Sequence, residues 1–277
     1  MKHRLSMSVI IPVHNRCQFL SEALDSVLGQ QYEPLEILVM DDGSTDNVRN
    51  WLLKYSGRVE YMRQDHRGPG AARSAGVRRA QGDLIAFLDN DDLFTPSHLN
   101  RLAGCMEADP DVQIAQGQLR NFRDEEGTKF WCSPAYYLAS LPSAIYRRKL
   151  FESVGIDESL RYGEDLDFFM RCWEHNIKKV TVDHLSLLYR RHGENMTHNR
   201  NLRELGLVAV YRRRRDRIQQ KLCHPSAAPF GPMRDYLGTG MSAYDDGTRE
   251  PVDEALLSYD LLTREHATGD LSNHTCL

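Results

Sequence analysis

Short apolar runs alternate with segments of helical spacing at the start of the chain. The β-branched run Ser8–Ile11 ends at Pro12, and the apolar positions in residues 19–28 then recur at helical intervals before Gly29. A short bounded apolar run is typical of a buried strand, and an apolar period near 3.6 residues is typical of an amphipathic helix. The pattern therefore predicts a first strand followed by a helix.

The same order continues to about residue 105. Strands are predicted over Leu35–Met40, Val59–Met62 and Leu84–Leu88, and helices over residues 51–55 and 70–80. Strands that alternate with helices in this way predict a parallel, doubly wound α/β sheet.

Beyond residue 105 the pattern is looser. Helices are predicted over Leu150–Val154, Asp165–Trp173 and residues 202–221, and a strand over Lys179–Leu188. After His224 the chain is interrupted by Pro and Gly and has weaker periodicity.

Composition narrows the class of protein. The 277 residues, 41% of them hydrophobic, can bury one substantial core or one core with a small appendage. The net charge of -4 gives no indication of nucleic-acid binding, and the six cysteines lack CxxC or zinc-ligand spacing, so we expect them to be reduced. No apolar run is long enough to span a membrane, and the opening residues do not resemble a signal peptide, so we expect a soluble cytoplasmic protein.

Acidic residues follow two of the predicted strands. The second strand ends in Asp41 and Asp42, and the fourth ends in the segment Asp89–Asp92. Open α/β sheets bind ligands at the carboxyl ends of their strands, where these carboxylates would meet. Carboxylate oxygens suit a divalent cation, which can hold a diphosphate, so the pattern predicts a metal–nucleotide site.

Six segments, taken in order, resemble the family 2 glycosyltransferases, which are inverting enzymes with the GT-A fold. They are Ser8–Arg16, Asp41–Asp46, Gly68–Gly76, Phe87–Asp92, Gly163–Asp167 and Tyr189–Asn195. Two positions depart from the family, Ser74 where Asn is frequent and His14 where an aromatic residue is common.

The resemblance implies a GT-A type α/β fold, with a doubly wound, mostly parallel sheet flanked by helices and a helical C-terminal extension. Residues 1–200 would form the catalytic domain, with a nucleotide-binding half (1–105) and an acceptor-binding half (106–200). Residues 201–277 would form the extension.

The resemblance also implies a donor site. Its nucleotide-binding residues would be Pro12, His14, Arg16, Asp42, Arg73, Asp89 and Asn90. Asp42 would accept a hydrogen bond from the base, which suits the N–H of uracil, although guanine and thymine also offer one. Asp89 and Asn90 would reach the ribose or support the loop. The alternative for Arg73 is a solvated arginine on a helix.

Asp91 is the expected ligand of Mn²⁺ or Mg²⁺, and His192 is expected to complete the metal shell. The alternative for the acidic segment is a polar turn in which Asp92 caps the helix after Pro96. The alternative for His192 is a surface histidine in a basic loop.

Asp165 is the expected catalytic base, with Glu164 beside it in the same turn. Inversion in one displacement needs a base on the acceptor side, and a carboxylate can take the proton as the hydroxyl attacks. Both acids could instead offset the dipole of the helix that follows, a role compatible with catalysis.

These residues lead to a hypothesis of metal-dependent, inverting transfer of a hexose or N-acetylhexosamine from a nucleotide-diphosphate sugar, UDP-sugar favoured, to an acceptor hydroxyl. The acceptor could be a saccharide, a lipid-linked sugar, a protein or a small molecule. The alternatives are a non-catalytic nucleotide-sugar-binding partner subunit and a sugar-1-phosphate nucleotidyltransferase. The latter should carry a Gly-rich basic loop where Pro12–Asn15 stands.

A run of basic residues lies in the last predicted helix, within residues 211–221. It could hold the protein against the anionic inner face of a membrane, beside a lipid-linked acceptor. A solvated basic helix face is the favoured alternative.

Overall fold

The computed structural model of the chain describes residues 4–196, 204–222, 233–238 and 250–252. A single sheet runs through these residues and carries helices on both faces.

The first half of the sheet has the predicted alternation. Its elements are β1 (Met7–Val13), α1 (Cys17–Leu28), β2 (Leu35–Asp42), α2 (Val48–Trp51) with a 3₁₀ turn over Leu52–Tyr55, β3 (Glu60–Gln64), α3 (Pro69–Arg79) and β4 (Leu84–Phe87). β1 pairs in parallel with β2 and β4, and β2 pairs in parallel with β3. The parallel arrangement predicted from the sequence is confirmed for this half.

The remaining elements complete the sheet and cover it. They are β5 (Leu93–Phe94), α4 (His98–Ala108), β6 (Ile114–Glu125), β7 (Thr128–Trp131), β8 (Ala144–Arg147), α5 (Leu150–Ser153), α6 (Glu164–Glu174), β9 (Lys179–Arg190), α7 (Leu207–Gln219), α8 (Met233–Leu237) and β10 (Glu250–Pro251). The predicted helices at 150–154 and 165–173 and the predicted strand at 179–188 are all present.

The predicted α/β fold is confirmed, but the strands beyond β4 pair mostly antiparallel, which the sequence pattern did not predict. There β8 is antiparallel to β4 and β6, β7 is antiparallel to β6, and β5 is antiparallel to β9, while β9 alone runs parallel to β6. One cause is a tight hairpin, because Glu126 and Gly127 link β6 to β7 with φ values of 53° and 86°. A two-residue hairpin of this kind joins only antiparallel strands.

Side chains of β1 alternate between two cores. Val9 and Ile11 pack on the side that holds α1 and α4, and Ile10 packs on the side that holds α3 and α6. The strand is buried on both faces, as its continuous apolar sequence requires.

Helices α7 and α8 pack against α6 and the chain that follows it, while β10 pairs with β7. Val210 of α7 packs with Leu160 and Met170, and Tyr236 of α8 donates a hydrogen bond to the Ile177 carbonyl at 3.0 Å. The predicted C-terminal extension is therefore packed on the catalytic domain where the structure describes it.

The basic run of α7 is used largely within the fold. Arg217 lies 2.7 Å from Glu174 and 3.2 Å from Asp167, and Arg213 lies 2.6 Å from Asp157. Arg212 and Arg215 are exposed, and membrane contact through them stays a prediction. Among the described helices, none has the length and apolar character that crossing a bilayer would need.

Candidate active site

The loops that follow β1, β2 and β4 meet at the carboxyl edge of the sheet. The loop after β1 turns sharply, with Asn15 and Arg16 both at positive φ (60° and 63°). The Asn15 side-chain oxygen accepts the backbone N–H of Thr45 at 2.8 Å and thereby ties this loop to the one after β2. The topology thus brings the predicted donor residues to one edge, where open α/β sheets bind ligands.

Asp41 is buried and supports the site from behind. Its carboxylate accepts hydrogen bonds from the Ser44 N–H at 2.7 Å, from the Tyr61 hydroxyl at 2.5 Å and from Arg63 at 3.1 Å. Burial alone would raise the pKa of Asp41, but these bonds and the nearby charge of Arg63 hold the pKa below its usual value. Asp41 therefore serves as a fixed anion that fastens the β2 loop.

Asp42, predicted to bind the base, is 3% exposed. Its carboxylate accepts the backbone N–H groups of Arg67 at 2.8 Å and Gly68 at 2.7 Å, and the Gln64 amide at 2.7 Å. These donors all come from the chain itself, so the carboxylate organises the loop before α3. Its contact with a base stays a prediction.

Two stacked imidazoles stand over Asp42. The ring centroids of His14 and His66 are 4.1 Å apart, and each Nδ1 lies within 3.0 Å of the Asp42 carbonyl oxygen. A carbonyl only accepts hydrogen bonds, so both rings carry a proton on Nδ1. Both side chains are exposed and offer a flat surface beside the predicted nucleotide pocket. Sequence reasoning included His14 and missed His66, which becomes visible only through this stacking.

The segment after β4 sends its side chains in different directions. Asp89 faces Arg73, with 2.5 Å between the carboxylate and the guanidinium. Asn90 lies 3.4 Å from the carbonyl oxygens of both Asn15 and Arg16 and so supports the β1 loop. Arg16 in turn lies 3.5 Å from Asp91.

Asp92 is not the helix cap considered as an alternative. It is 1% exposed and accepts the backbone N–H of Arg190 at 2.9 Å, while α4 begins at His98 after Ser97. Burial, with the charges of Asp91 and Asp89 added, raises the pKa of Asp92 well above its usual value. The residue joins the acidic loop to β9.

Asp91 and His192 meet, as expected for two residues of one site. The His192 Nε2 lies 3.0 Å from the Asp91 Oδ2. Within the described residues no group of three or more His, Cys, Asp or Glu side chains could hold a cation. This two-residue set still fits Mg²⁺ or Mn²⁺, because such ions are usually held by one or two protein ligands together with substrate phosphates. His192 would ligate through Nε2, so ion binding and the present contact with Asp91 are alternatives.

Asp165 lies in the first turn of α6, in the half that the resemblance assigns to the acceptor. Its Oδ2 accepts the Leu141 backbone N–H at 3.0 Å, whereas its buried Oδ1 has no hydrogen-bond partner among the described residues. Burial raises the pKa of Asp165 to about 7, opposed by the charge of Arg73 and reinforced by that of Glu164. A carboxylate with a pKa near neutrality is a better proton acceptor than an ordinary one.

Arg73 joins the loop after β4 to the start of α6. Its guanidinium contacts Asp89 at 2.5 Å, Glu164 at 2.8 Å and Asp165 at 3.6 Å, and the side chain is only 4% exposed. The alternative of a solvated helix arginine is therefore wrong. Direct contact with a nucleotide stays a prediction for this residue.

A family model described as glycosyl transferase family 2 matches residues 8–161, which is more than half of the chain. The chain belongs to this family.

Several curated relatives are named as glycosyltransferases. An uncharacterized glycosyltransferase of Rickettsia bellii is 29% identical over 74% of this chain and 31% of its own length. Glycosyltransferase GlyA of Streptococcus pneumoniae is 27% identical over 74% of this chain and 29% of its own. The chain thus spans less than a third of either protein. The uncharacterized glycosyltransferase YwdF of Bacillus subtilis is 27% identical over 70% of this chain and 78% of its own.

Solved structures confirm the fold. Residues 1–349 of S. aureus TarS in complex with UDP-GlcNAc superpose with a TM-score of 0.60 and 20% identity, over 74% of this chain and 66% of that one. At this identity the likeness shows the GT-A type α/β fold and no more.

Arg190 contacts the loop that carries Asp91, and sequence reasoning missed it. Its Nε donates to the Asp91 carbonyl oxygen at 2.8 Å, and its guanidinium lies 4.9 Å and 4.8 Å from the ring centroids of Phe19 and Phe122. The side chain is 2% exposed. Arg190 is the last residue of β9 and stands two positions before His192, in the segment from which only His192 was selected.

Proposed function

We propose that the protein transfers a sugar from a nucleotide-diphosphate sugar, UDP-sugar favoured, to an acceptor hydroxyl with inversion, and that Asp165 is the base. One observation carries the proposal: the acceptor-side carboxylate of Asp165 and the donor-loop carboxylate of Asp89 face the same buried guanidinium of Arg73. A base fixed relative to the donor loop is what a single displacement requires. The complexes of TarS with UDP and UDP-GlcNAc support the choice of donor.

The reaction is a direct displacement at the anomeric carbon. The acceptor oxygen forms a bond to that carbon, the bond from the carbon to the diphosphate oxygen breaks, and the diphosphate leaves with the electron pair. The proton of the acceptor hydroxyl passes to Asp165. Glu164 contributes by holding Arg73, at 2.8 Å, and by adding negative charge beside the base.

We further propose that Asp91 and His192 hold the cation, with Asn90, Arg16 and Arg190 fixing the loops around it. The bound Mg²⁺ or Mn²⁺ would offset the negative charge that develops on the diphosphate.

The first test is calorimetric titration of the protein with UDP, GDP and TDP, each with and without Mn²⁺. We expect cation-dependent binding of UDP. Absence of binding to all three nucleotides would contradict a donor site at this edge of the sheet.

Asp165→Asn tests the base. We expect UDP release from UDP-GlcNAc, in the presence of an acceptor found by screening, to fall about 10²- to 10⁴-fold because the amide cannot take the proton. Binding of UDP should persist, and Asp183→Asn at an exposed position is the matched control. Turnover at the wild-type rate in Asp165→Asn would exclude this residue as the base.

Asp91→Ala tests the cation site. We expect the Mn²⁺-dependent part of UDP binding to disappear, because the variant lacks the carboxylate that faces His192. UDP binding measured without Mn²⁺ is the internal control and should not change. If Mn²⁺ still strengthens UDP binding in the variant, the cation is held elsewhere.

The same experiments separate the alternatives. A chain that binds UDP but releases none from any donor and acceptor would be a non-catalytic binding subunit. Release of pyrophosphate from UTP and a sugar 1-phosphate would identify a nucleotidyltransferase.

A further inference from the structure

The guanidinium of Arg73 bridges two parts of the chain that are distant in sequence. It extends from α3 to Asp89 on the loop after β4 and to Glu164 at the start of α6, at 2.5 and 2.8 Å. Asp165 is 3.6 Å away, and the arginine is almost fully buried. One buried cation therefore faces three carboxylates, and a buried ion set of this kind is costly unless its members compensate one another.

Asp165 has few other stabilising contacts. Its Oδ2 accepts one backbone N–H, from Leu141, and its Oδ1 accepts no hydrogen bond from the described residues. The charged and titratable groups that face it are Arg73 from α3, Glu164 from its own helix, Asp89 from the loop after β4 and Tyr146 from β8. Arg73 is the only cation in this set.

We propose that Arg73 is a positioning residue for Asp165: it fixes the protonation state of the base and holds the base against the donor loop through Asp89. The proposal rests on the assignment of Asp165 as the base. It adds an electrostatic role for Arg73, and the negative charge of Glu164 acts on Asp165 in the opposite direction.

The neighbouring charges act on Asp165 in opposite directions. Burial raises its pKa, the positive charge of Arg73 lowers it, and the negative charges of Glu164 and Asp89 raise it. The result, about 7, leaves a large share of the carboxyl ionised at neutral pH and still basic enough to take a proton. Removal of Arg73 and removal of the Glu164 charge must then move the titration of Asp165 in opposite directions.

The test is ¹³C NMR of protein labelled at the aspartate side chains, titrated between pH 4 and 9 (roughly the range over which such a raised carboxyl ionises), with Asp165→Asn to identify the signal. In Arg73→Met the midpoint of Asp165 should move upward by about one pH unit or more, and in Glu164→Gln it should move downward. Arg78→Met is the matched control, because Arg78 lies on the same helix and pairs with Glu158 at the surface. In Arg78→Met the titration midpoint of Asp165 should equal that in the wild type.

This experiment needs neither donor nor acceptor, so it can fail separately from the proposed function. An unchanged midpoint in Arg73→Met and Glu164→Gln would overturn the role of Arg73, even if the protein transfers sugar. If Arg73→Met does not fold, Arg73→Lys decides together with Glu164→Gln. The lysine keeps one charge without the forked geometry, so we expect a smaller upward movement of the Asp165 midpoint. An unchanged midpoint in both Arg73→Lys and Glu164→Gln would overturn the proposal.

A second measurement links the titration to catalysis. The pH at which kcat/KM for UDP release from UDP-GlcNAc falls on the acidic side should follow the NMR midpoint of Asp165 in each variant. A merely structural role for Arg73 would lower kcat/KM without moving the limb. If the midpoints move and no variant, wild type included, turns over the donor, the electrostatic role stands and the proposed function fails.

Discussion

Two aspartates of the site show how hydrogen bonds divide one residue type into different roles. Asp42 is almost fully buried, and its carboxylate accepts hydrogen bonds from the backbone N–H groups of Arg67 and Gly68 at less than 3 Å. Asp165 is 27% exposed, but one of its oxygens has no donor among the described residues. A carboxylate saturated by its own chain organises a loop, whereas an under-coordinated one near a buried cation is available to take a proton.

A buried histidine outside the site predicts the pH dependence of stability. His98 is fully buried against Phe94, and both its ring nitrogens lack hydrogen-bond partners among the described residues. Burial lowers its pKa well below the usual value, and burial lowers the pKa of the neighbouring His184 to about 4. At these two histidines the unfolded chain thus binds more protons than the folded chain below a pH of about 6.5, whereas Asp92 and Asp165, whose pKa values are raised, bind more protons in the folded chain.

Lowering the pH from about 6.5 towards 4 should therefore reduce the free energy of unfolding less in His98→Phe than in the wild type, since an apolar ring replaces one titrating histidine while His184, Asp92 and Asp165 are the same in both. Urea unfolding at several pH values measures the slope. His175→Phe, at an exposed position, should keep the wild-type slope. An equally steep fall in His98→Phe would contradict the role given to His98.

At the scale of elements, the hydrophobic periodicity predicted the strands and helices whose positions depend on local sequence. The strands from Ser8 to Leu88 and the helix that begins at Glu164 have a period that packing on one sheet imposes. β6 was missed because polar residues point into the core. Gln116 is fully buried and donates to the Leu138 carbonyl at 2.6 Å, while its oxygen accepts from Lys179 at 2.8 Å. Such a strand depends on distant partners, and no local pattern marks it.

The packing of α3 on β1 leads to a second prediction. A Cβ atom at Gly76 would lie 2.5 Å from the Ile10 side chain, a distance that forces the helix or the strand to move. Gly76→Ala should therefore destabilise the protein by about 1–3 kcal/mol. Gly104 lies in α4, where a Cβ atom would have no neighbour within 4 Å among the described residues outside its own helix turn, and Gly104→Ala should stabilise by about 0.5–1 kcal/mol.

Urea unfolding of both variants measures the difference. Opposite signs are expected because the two substitutions have the same chemistry and differ only in the space around the new methyl group. Equal effects would show that helix propensity, and not the contact between α3 and β1, decides the outcome at Gly76.

At the scale of the whole molecule, the types of the site residues were predictable and their contacts were not. The acidic segments, Arg73 and His192 stood out in the sequence, but Arg73 and Glu164 are 91 positions apart and Asp91 and His192 are 101 apart. Such contacts depend on how the antiparallel half of the sheet places α6 and β9 against the nucleotide half. For the same reason, nothing in the local sequence showed that Arg190 would contact the backbone of Asp91.

The contact of α7 with α6 determines whether the C-terminal region belongs to the folded unit. Arg217 binds Glu174 at 2.7 Å and Asp167 at 3.2 Å, and the side chains of both acids are almost fully buried. Arg217→Met would leave Glu174 with only Arg214, 3.4 Å away, as a cationic neighbour among the described residues. Since removing one partner leaves a buried charge uncompensated, we expect a loss of about 3 kcal/mol in the free energy of unfolding, measured in urea.

The matched control for this prediction is Arg215→Met on the same helix. Arg215 is exposed and pairs with its neighbour Asp216, so its loss should change stability by less than about 1 kcal/mol. A single cooperative transition that moves to lower urea in Arg217→Met alone would show that α7 folds with the catalytic domain. Equal stability of the two variants would show instead that the buried ion pairs of Arg217 contribute no more than a surface pair.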